Sequence, residues 1–373
     1  MKKAWKQAGP QTISVRAAVV RRPGGPLRME TIALEAPRDD EALVRIVASG
    51  ICHTDIDFME SARDAVLGHE GAGIVEFAGS ALRGSFRPGD HVVLSFQSCG
   101  LCAECRRGHP SGCERLWELN FGFARADGTS AFKRSGVLGH FFGQSSFATF
   151  ALATRRNMVR VPKDLPLEIL APLGCGVQTG AGTVMNSLSV RRGQPVAVFG
   201  TGAVGLSAVM AARIAGANPI IGVDKNPSRL RLALELGATH AIDSRRGDIV
   251  SRFRDIAGGG VDYALETTGA PGIYRTAAEV LRPGGTLALI AAPGEGVREL
   301  PGGRKILDII QGDSVPQRFI PRLIRLYRKG MFPFDRLIRT YEFRDINRAV
   351  RDAKSGRTIK PVLRISPQRL FSF

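Results

Sequence analysis

The sequence predicts an α/β protein of two domains, one β-rich and one built on a doubly wound parallel sheet. Three observations carry this. A length of 373 residues allows two separate cores. Residues 13–50 and 66–94 alternate short apolar runs with Pro and Gly turns, as strands do. From about residue 177, apolar strands alternate with helical patterns, which is the mark of βαβ units and a parallel sheet.

Taken in order, Val15–Val20 and Leu43–Val47 read as strands. Val66–Phe77 and His91–Leu94 continue the pattern, separated by the turn Pro88-Gly89-Asp90. Residues 106–146 read as a long loop with little periodicity. In the second part, Pro195–Phe199, Pro219–Val223, Val261–Glu266 and Thr286–Ala291 are short apolar strands, and Ala203–Ala215 and Ser228–Leu236 are helices. Pro271–Leu281 reads as a helix ended by Arg-Pro-Gly-Gly, and Pro361–Ile365 as a final β segment.

Composition narrows the function classes. A hydrophobic content of 44% and a charged content of 23% are those of a soluble globular protein. Met1–Pro10 carries charge with no apolar stretch behind it, so no secretory signal is expected and the location expected is cytoplasmic. Val196–Val223 is the most apolar region, but glycines, Arg213, Asn218 and Pro219 break it, so no membrane span is expected. The net charge of +18 comes from 42 Arg against 10 Lys. The arginines at 318, 322, 325 and 328 recur at helical spacing between Phe319, Ile320, Leu323, Ile324 and Tyr327. That is a solvated face of an amphipathic helix. With no aromatic-interleaved basic module, a nucleic-acid partner is not expected.

Gly200-Thr-Gly202-Ala-Val204-Gly205 is a G-x-G-x-x-G loop that follows an apolar strand and opens a helix. The glycines permit a tight turn and close approach of the backbone, Val204 included, to a pyrophosphate facing the helix N-terminus. Asp224 stands 19 residues after the last glycine, at the end of the next strand. There a carboxylate accepts the adenosine ribose hydroxyls and repels a 2′-phosphate, so NAD is expected over NADP. Arg229 is near enough in sequence to offset that preference.

The chain has six cysteines. Cys99, Cys102, Cys105 and Cys113 are spaced C-x2-C-x2-C-x7-C, which lets four thiolates close on one tetrahedral zinc and staple a loop. His109 inside that stretch reads as a surface histidine. No spacing rule joins Cys52 and Cys175 to each other or to His69.

A resemblance does join them. Gly-Ile-Cys52-His53-Thr54-Asp55, Gly68-His69-Glu70-Gly-Ala-Gly-Ile-Val, the four-cysteine lobe, Gly174-Cys175-Gly-Val-Gln-Thr179-Gly and the glycine loop stand in the order found in zinc-dependent medium-chain alcohol dehydrogenases. The chain resembles that family over roughly residues 13–366. Phe141-Phe-Gly-Gln-Ser-Ser-Phe-Ala-Thr-Phe and Lys329-Gly-Met-Phe-Pro-Phe-Asp335 are similar to its aryl-alcohol (benzyl-alcohol) members. The resemblance implies a GroES-like catalytic domain over residues 1–176 and 316–373, with a zinc lobe near 95–115, and a Rossmann domain over 177–315. Their cleft would hold the active site, and the assembly would be a homodimer or homotetramer.

It also implies roles. Cys52, His69 and Cys175 would hold a catalytic zinc with an open fourth position. The four-cysteine lobe would hold a structural zinc, making two Zn2+ per chain beside NAD(H). Thr54 would relay the alcohol proton, Asp55 would orient His69, and Glu70 would sit behind the metal. His53 and Lys360 would contact the pyrophosphate, and Thr179 the cofactor. Much of the family has a histidine ending the relay where this chain has Asp57, so Asp57 or solvent takes that role. The implied reaction interconverts a primary alcohol, aromatic or allylic, and its aldehyde. Alternatives are S-(hydroxymethyl)glutathione or secondary alcohols on the same fold, or a non-catalytic nucleic-acid binder on a retired scaffold.

Overall fold

The computed structural model describes residues 12–290 and 300–368. The Met1–Pro10 expectation and the strand end at Ala291 lie outside the described residues. In chain order come strands β1 (Thr12–Val20), β2 (Leu27–Glu35) and β3 (Glu41–Gly50), helix α1 (His53–Met59), then β4 (Ala65–Val66), β5 (Glu70–Ala78) and β6 (His91–Leu94). Helices α2 (Ala103–Arg106) and α3 (Leu116–Phe121) precede β7 (Phe150–Thr154), β8 (Met158–Arg160) and α4 (Leu167–Leu170). Next are α5 (Gly176–Gly182), β9 (Val196–Phe199), α6 (Ala203–Ala215), β10 (Ile220–Asp224), α7 (Pro227–Leu236), β11 (His240–Asp243) and α8 (Ile249–Ala257). They are followed by β12 (Val261–Glu266), α9 (Ile273–Glu279), β13 (Leu281–Leu289), β14 (Lys305–Asp308) and α10 (Pro316–Arg328). The chain closes with β15 (Ile338–Glu342), α11 (Ile346–Lys354) and β16 (Lys360–Arg364).

Two compact units divide the chain: Met1–Cys175 with Ile338–Phe373, and Gly176–Leu337. The sequence expectation placed the second boundary at 315/316. Residues 316–337 fall instead in the second unit, because α10 packs on α5 through a buried face that includes Phe319, Ile320, Leu323 and Ile324.

The first unit holds two sheets, β2-β1-β4 and β15-β16-β3-β5-β6-β8, with β7 also paired to β3. Nearly every residue of β3 is buried, as expected of a strand covered on both faces. Ala42, Val44 and Ile46 pack with Val75, Val92, Leu94, Ala151 and Met158 into one core. This register positions the site. β3 and β5 are antiparallel with Gly50 opposite Glu70. The chain leaving β3 toward Cys52 therefore runs beside the chain entering β5 through His69.

The second unit is a six-stranded, wholly parallel sheet in the order β11-β10-β9-β12-β13-β14. Renumbered from its first strand this is 3-2-1-4-5-6, the Rossmann order, whose direction reverses between β9 and β12. Phe199, Ile221, Val223, Ile242, Phe253, Ala264 and Leu287 belong to its core. Two expectations change in detail. The stretch read as a loop over 106–146 contains α3, whose Leu116 and Leu119 are buried. The segment read as the end of a helix, Leu281-Arg-Pro-Gly-Gly, opens β13 instead, and the β12–β13 register shifts between Val261 and Tyr263.

Candidate metal centres and glycine loop

Cys52 ends the turn after β3 and caps the N-terminus of α1. His69 follows Gly68, whose φ of +92° and whose closeness to the Phe147 backbone and ring leave no room for a Cβ. Cys175 is carried in by β6: the Ser95 hydroxyl just beyond that strand donates to the Gly174 carbonyl at 2.7 Å. The result is that Cys52, His69, Glu70 and Cys175 each bring a donor atom within 4.8 Å of the others.

Asp55 organises this group. Its Oδ1 accepts from Gly68 N–H at 3.0 Å and pairs with His69 Nδ1 at 2.9 Å, while Oδ2 accepts from Cys52 N–H at 2.9 Å. With Nδ1 so engaged, the buried Nε2 of His69 has no hydrogen-bond partner. A buried polar nitrogen beside two sulfurs is costly unless it meets a cation. The donor set, two thiols and one imidazole oriented by a carboxylate, suits zinc. Electrostatics agree. A hydrogen bond from Cys175, then the charges of Lys360 and His69, hold the Cys52 thiol well below its usual range against burial. The same bond, with burial, holds Cys175 well above it. Burial opposes the charge on His69, but Asp55 and Cys52 push the imidazole up to about 10. A metal that takes both sulfurs displaces these protons.

Glu70 is fully buried behind the group, and burial pushes its carboxyl up. Its partner is Lys360, only 2% exposed, whose Nζ donates to Glu70 Oε1 at 2.9 Å, Oε2 at 3.0 Å and the Ile51 carbonyl at 3.2 Å. Lys360 was expected at a pyrophosphate. In the structure that ammonium is turned to Glu70 and the Ile51 carbonyl. Thr54 Oγ1 is 4.0 Å from Cys52 Sγ. Asp57 and His53 are exposed on α1.

Sequence reasoning missed two features. Gln144 is buried, donates to the His69 and Ser95 carbonyls at 2.9 and 3.1 Å, and accepts from Gly71 N–H at 3.1 Å. Its only signal was its place in the stretch read by resemblance. The other is a train of rings. Phe142 stacks on the His69 imidazole at 4.3 Å, and Phe141 meets it edge-on at 5.7 Å. Phe58 lies 4.9 Å from Phe141 and stacks on Phe121 at 5.1 Å. Trp117, 67% exposed, stacks on Phe121 in turn.

The four-cysteine cluster is a separate centre. All four sulfurs lie within 4.8 Å of one another. Backbone N–H groups of Leu101 and Cys102 donate to Cys99 Sγ at 3.4 and 3.3 Å, and Cys99 N–H donates to Cys113 Sγ at 3.2 Å. Against the desolvation of Cys99, the Leu101 and Cys102 N–H groups and the Cys113 and Cys102 side chains bring its thiol down to about 6. Four sulfurs this close to one another fit a closed zinc site. His109 stays outside it, exposed and 3.4 Å from Glu104.

In the second unit, Gly200 turns at φ +89°, and Cβ atoms at Gly200 and Gly205 would strike Thr267 and the Gly200 carbonyl. Gly202 caps α6, and Val204 follows in its first turn. Asp224 is buried at the end of β10; Oδ2 accepts from Thr201 N–H at 2.7 Å and its hydroxyl at 3.0 Å, and Oδ1 from Asn226 N–H at 2.8 Å. The acid thus ties the loop to the second strand. Arg229 sits on α7 with its buried Nε unpartnered. Thr179 is buried in α5, its carbonyl accepting from the Thr183 hydroxyl at 2.8 Å. Among the described residues no helix is long and apolar enough to cross a membrane.

Comparison with known proteins agrees with both halves. Residues 38–163 match the family model of the alcohol dehydrogenase GroES-like domain, and residues 203–314 that of zinc-binding dehydrogenases. Geraniol dehydrogenase of Castellaniella defragrans is 46% identical over 368 residues, which span 94% of this chain and 98% of that protein. The crystal structure of benzyl alcohol dehydrogenase from Acinetobacter calcoaceticus is 43% identical with a TM-score of 0.91, covering 95% of this chain and 100% of that one. An alcohol dehydrogenase zinc-binding domain protein from Burkholderia ambifaria is 51% identical with a TM-score of 0.92, covering 96% and 100%.

Proposed function

Because the chain belongs to the zinc-dependent medium-chain alcohol dehydrogenase family, we propose that it interconverts a primary aromatic or allylic alcohol and its aldehyde, with NAD as hydride partner and two zinc ions per chain. The observation that carries the substrate class is the run of rings from Trp117 through Phe121, Phe58 and Phe141 to Phe142 on the His69 imidazole. An apolar, polarisable cluster of stacked and edge-on rings at a metal ligand favours aromatic or otherwise unsaturated apolar substrates by contact area and ring contacts.

Cys52 and Cys175 would hold a zinc ion as thiolates, with His69 as third donor through Nε2. Zinc bound there supplies Lewis acidity that brings the alcohol proton into the neutral range. Asp55 keeps the His69 ring turned and its Nδ1 protonated. Thr54, beside Cys52, accepts the alcohol proton at Oγ1 and passes its own onward; Asp57, exposed on the same helix, hands it to solvent. The Phe141 and Phe142 rings exclude water from the reacting carbon. Gly200, Gly202, Val204 and Gly205 let the backbone meet the dinucleotide pyrophosphate, and Asp224 and Arg229 flank the adenosine ribose. A nicotinamide dinucleotide held there would supply the hydride acceptor.

A substrate panel tests this reading. With NAD, benzyl alcohol, cinnamyl alcohol and geraniol should exceed ethanol in kcat/KM by roughly a hundredfold or more, since each buried CH2 contributes about 0.8 kcal/mol. Ethanol, a secondary alcohol or S-(hydroxymethyl)glutathione as the preferred substrate would sink the aromatic or allylic assignment. Asp224→Gly should lower the preference for NAD over NADP by about tenfold or more, or about 1.4 kcal/mol. An unchanged ratio of kcat/KM values removes Asp224 from the cofactor site.

A further inference from the structure

We propose that a concave site on the C-terminal segment binds a phosphate-type oxyanion, either the free ion or the phosphate end of a small metabolite. It shares no residue with the metal centres or the glycine loop and is independent of the redox reading. The site is a cavity of ≈ 390 Å³ lined by Arg339, Arg348, Arg351, Arg357 and Asp352.

The fold gathers these residues from three segments. Strand β15 supplies Arg339, and α11 supplies Arg348 and Arg351, three apart and so on one face. The turn leading to β16 supplies Arg357. Four guanidiniums meet one carboxylate, so the formal balance inside the cavity is three positive charges.

Asp352 has little left to give. It is buried; Oδ1 accepts from Arg357 Nε at 2.9 Å and Nη2 at 2.7 Å, and Oδ2 accepts from the Tyr341 hydroxyl at 2.9 Å with Arg348 Nε 4.0 Å away. The Tyr341 oxygen is itself held by Thr358 at 2.7 Å. Glu342, next on the strand, is drawn toward Arg364 at 3.8 Å. Arg339 lies over the Tyr341 ring, 5.5 Å from its centroid. Among the described residues neither Arg339 nor Arg351 has a carboxylate partner.

Asp352 and Tyr341 therefore make a rigid floor that orients Arg357, while Arg339 and Arg351 present unpaired forks to the cavity. Like charges held together repel unless an anion sits between them. Planar N–H pairs match the oxygens of a tetrahedral oxyanion, and each such bond is charge-assisted. A cavity of this size takes one phosphate group and leaves room for what is attached to it.

The test is calorimetric titration of the zinc-loaded full chain at constant ionic strength with inorganic phosphate, then with glycerol phosphate. Saturable binding is expected, weakened by at least about tenfold in Arg339→Gln/Arg351→Gln. That double variant leaves the Asp352–Arg357–Tyr341 floor, the melting temperature and alcohol oxidation unchanged. Tighter binding of glycerol phosphate marks a metabolite as the source, and equal or weaker binding marks the free ion. Binding that survives the double substitution puts the anion elsewhere, the glycine loop included, and overturns the proposal. So does heat that disappears in matched chloride, which means an adventitious ion only. So does the absence of phosphate binding together with duplex DNA binding that the double variant loses, which assigns the arginines to a polyanion.

Discussion

Cys175→Ala should abolish alcohol oxidation while the fold and one zinc per chain remain. Cys52, His69 and Cys175 are the donors within reach of one ion besides Glu70, which is held back by Lys360. Removing one sulfur leaves one thiolate and one imidazole, too few for a stable catalytic zinc. Metal activation of a hydroxyl contributes several kcal/mol, so turnover should fall by at least about a thousandfold. The four-cysteine centre shares no residue with this group, so metal analysis should drop from two zincs to one. Circular dichroism should stay at the parent spectrum, because only one side-chain sulfur is lost, at the buried end of a short turn. Activity within tenfold of the parent would take Cys175 out of the reaction.

Lys360→Met should be strongly destabilising. Glu70 has no exposed surface, and Lys360 is its charged partner at 2.9 and 3.0 Å. Breaking a buried pair by removing one member leaves an uncompensated charge and costs about 3–5 kcal/mol. The pH dependence has a sign. Burial already pushes the Glu70 carboxyl up, and without Lys360 it rises further. A carboxyl raised in the fold favours folding below its unfolded pKa, and that advantage is lost as pH rises through the folded value. The deficit of the variant should therefore be larger at pH 7 than near pH 5. Lys360→Met/Glu70→Gln should recover much of the loss, because no charge is then stranded. Denaturant midpoints at the two pH values decide it; an equal deficit at both, with no recovery in the double variant, would assign the loss to packing instead.

Legibility in the sequence followed contact range. The strand–loop–helix over 195–215 and the acid closing the next strand could be read because their constraints lie within one βαβ unit. The run read as one strand over Val66–Phe77 is broken before His69 into β4 and β5, whereas helix α10 was equally plain from apolar periodicity. The boundary at 337/338 was not, since α10 looks like any amphipathic helix until its buried face is seen against α5. The partner of Lys360 was not legible for the same reason. Its ammonium reaches Glu70, 290 positions away, and only strand pairing of β16 with β3 brings it there.

The sequence by itself determined the closed cysteine cluster, the glycine loop with Asp224 and the alternation that builds a parallel sheet. Each is a local pattern whose spacing already implies its geometry. Tertiary structure brought together Cys52, His69 and Cys175, which in the sequence only the resemblance joined, and it alone decided that Lys360 faces Glu70 and that a cluster of rings packs on the imidazole. Those contacts join segments distant in the chain, and antiparallel register and side-chain packing set their distances. No spacing rule encodes them.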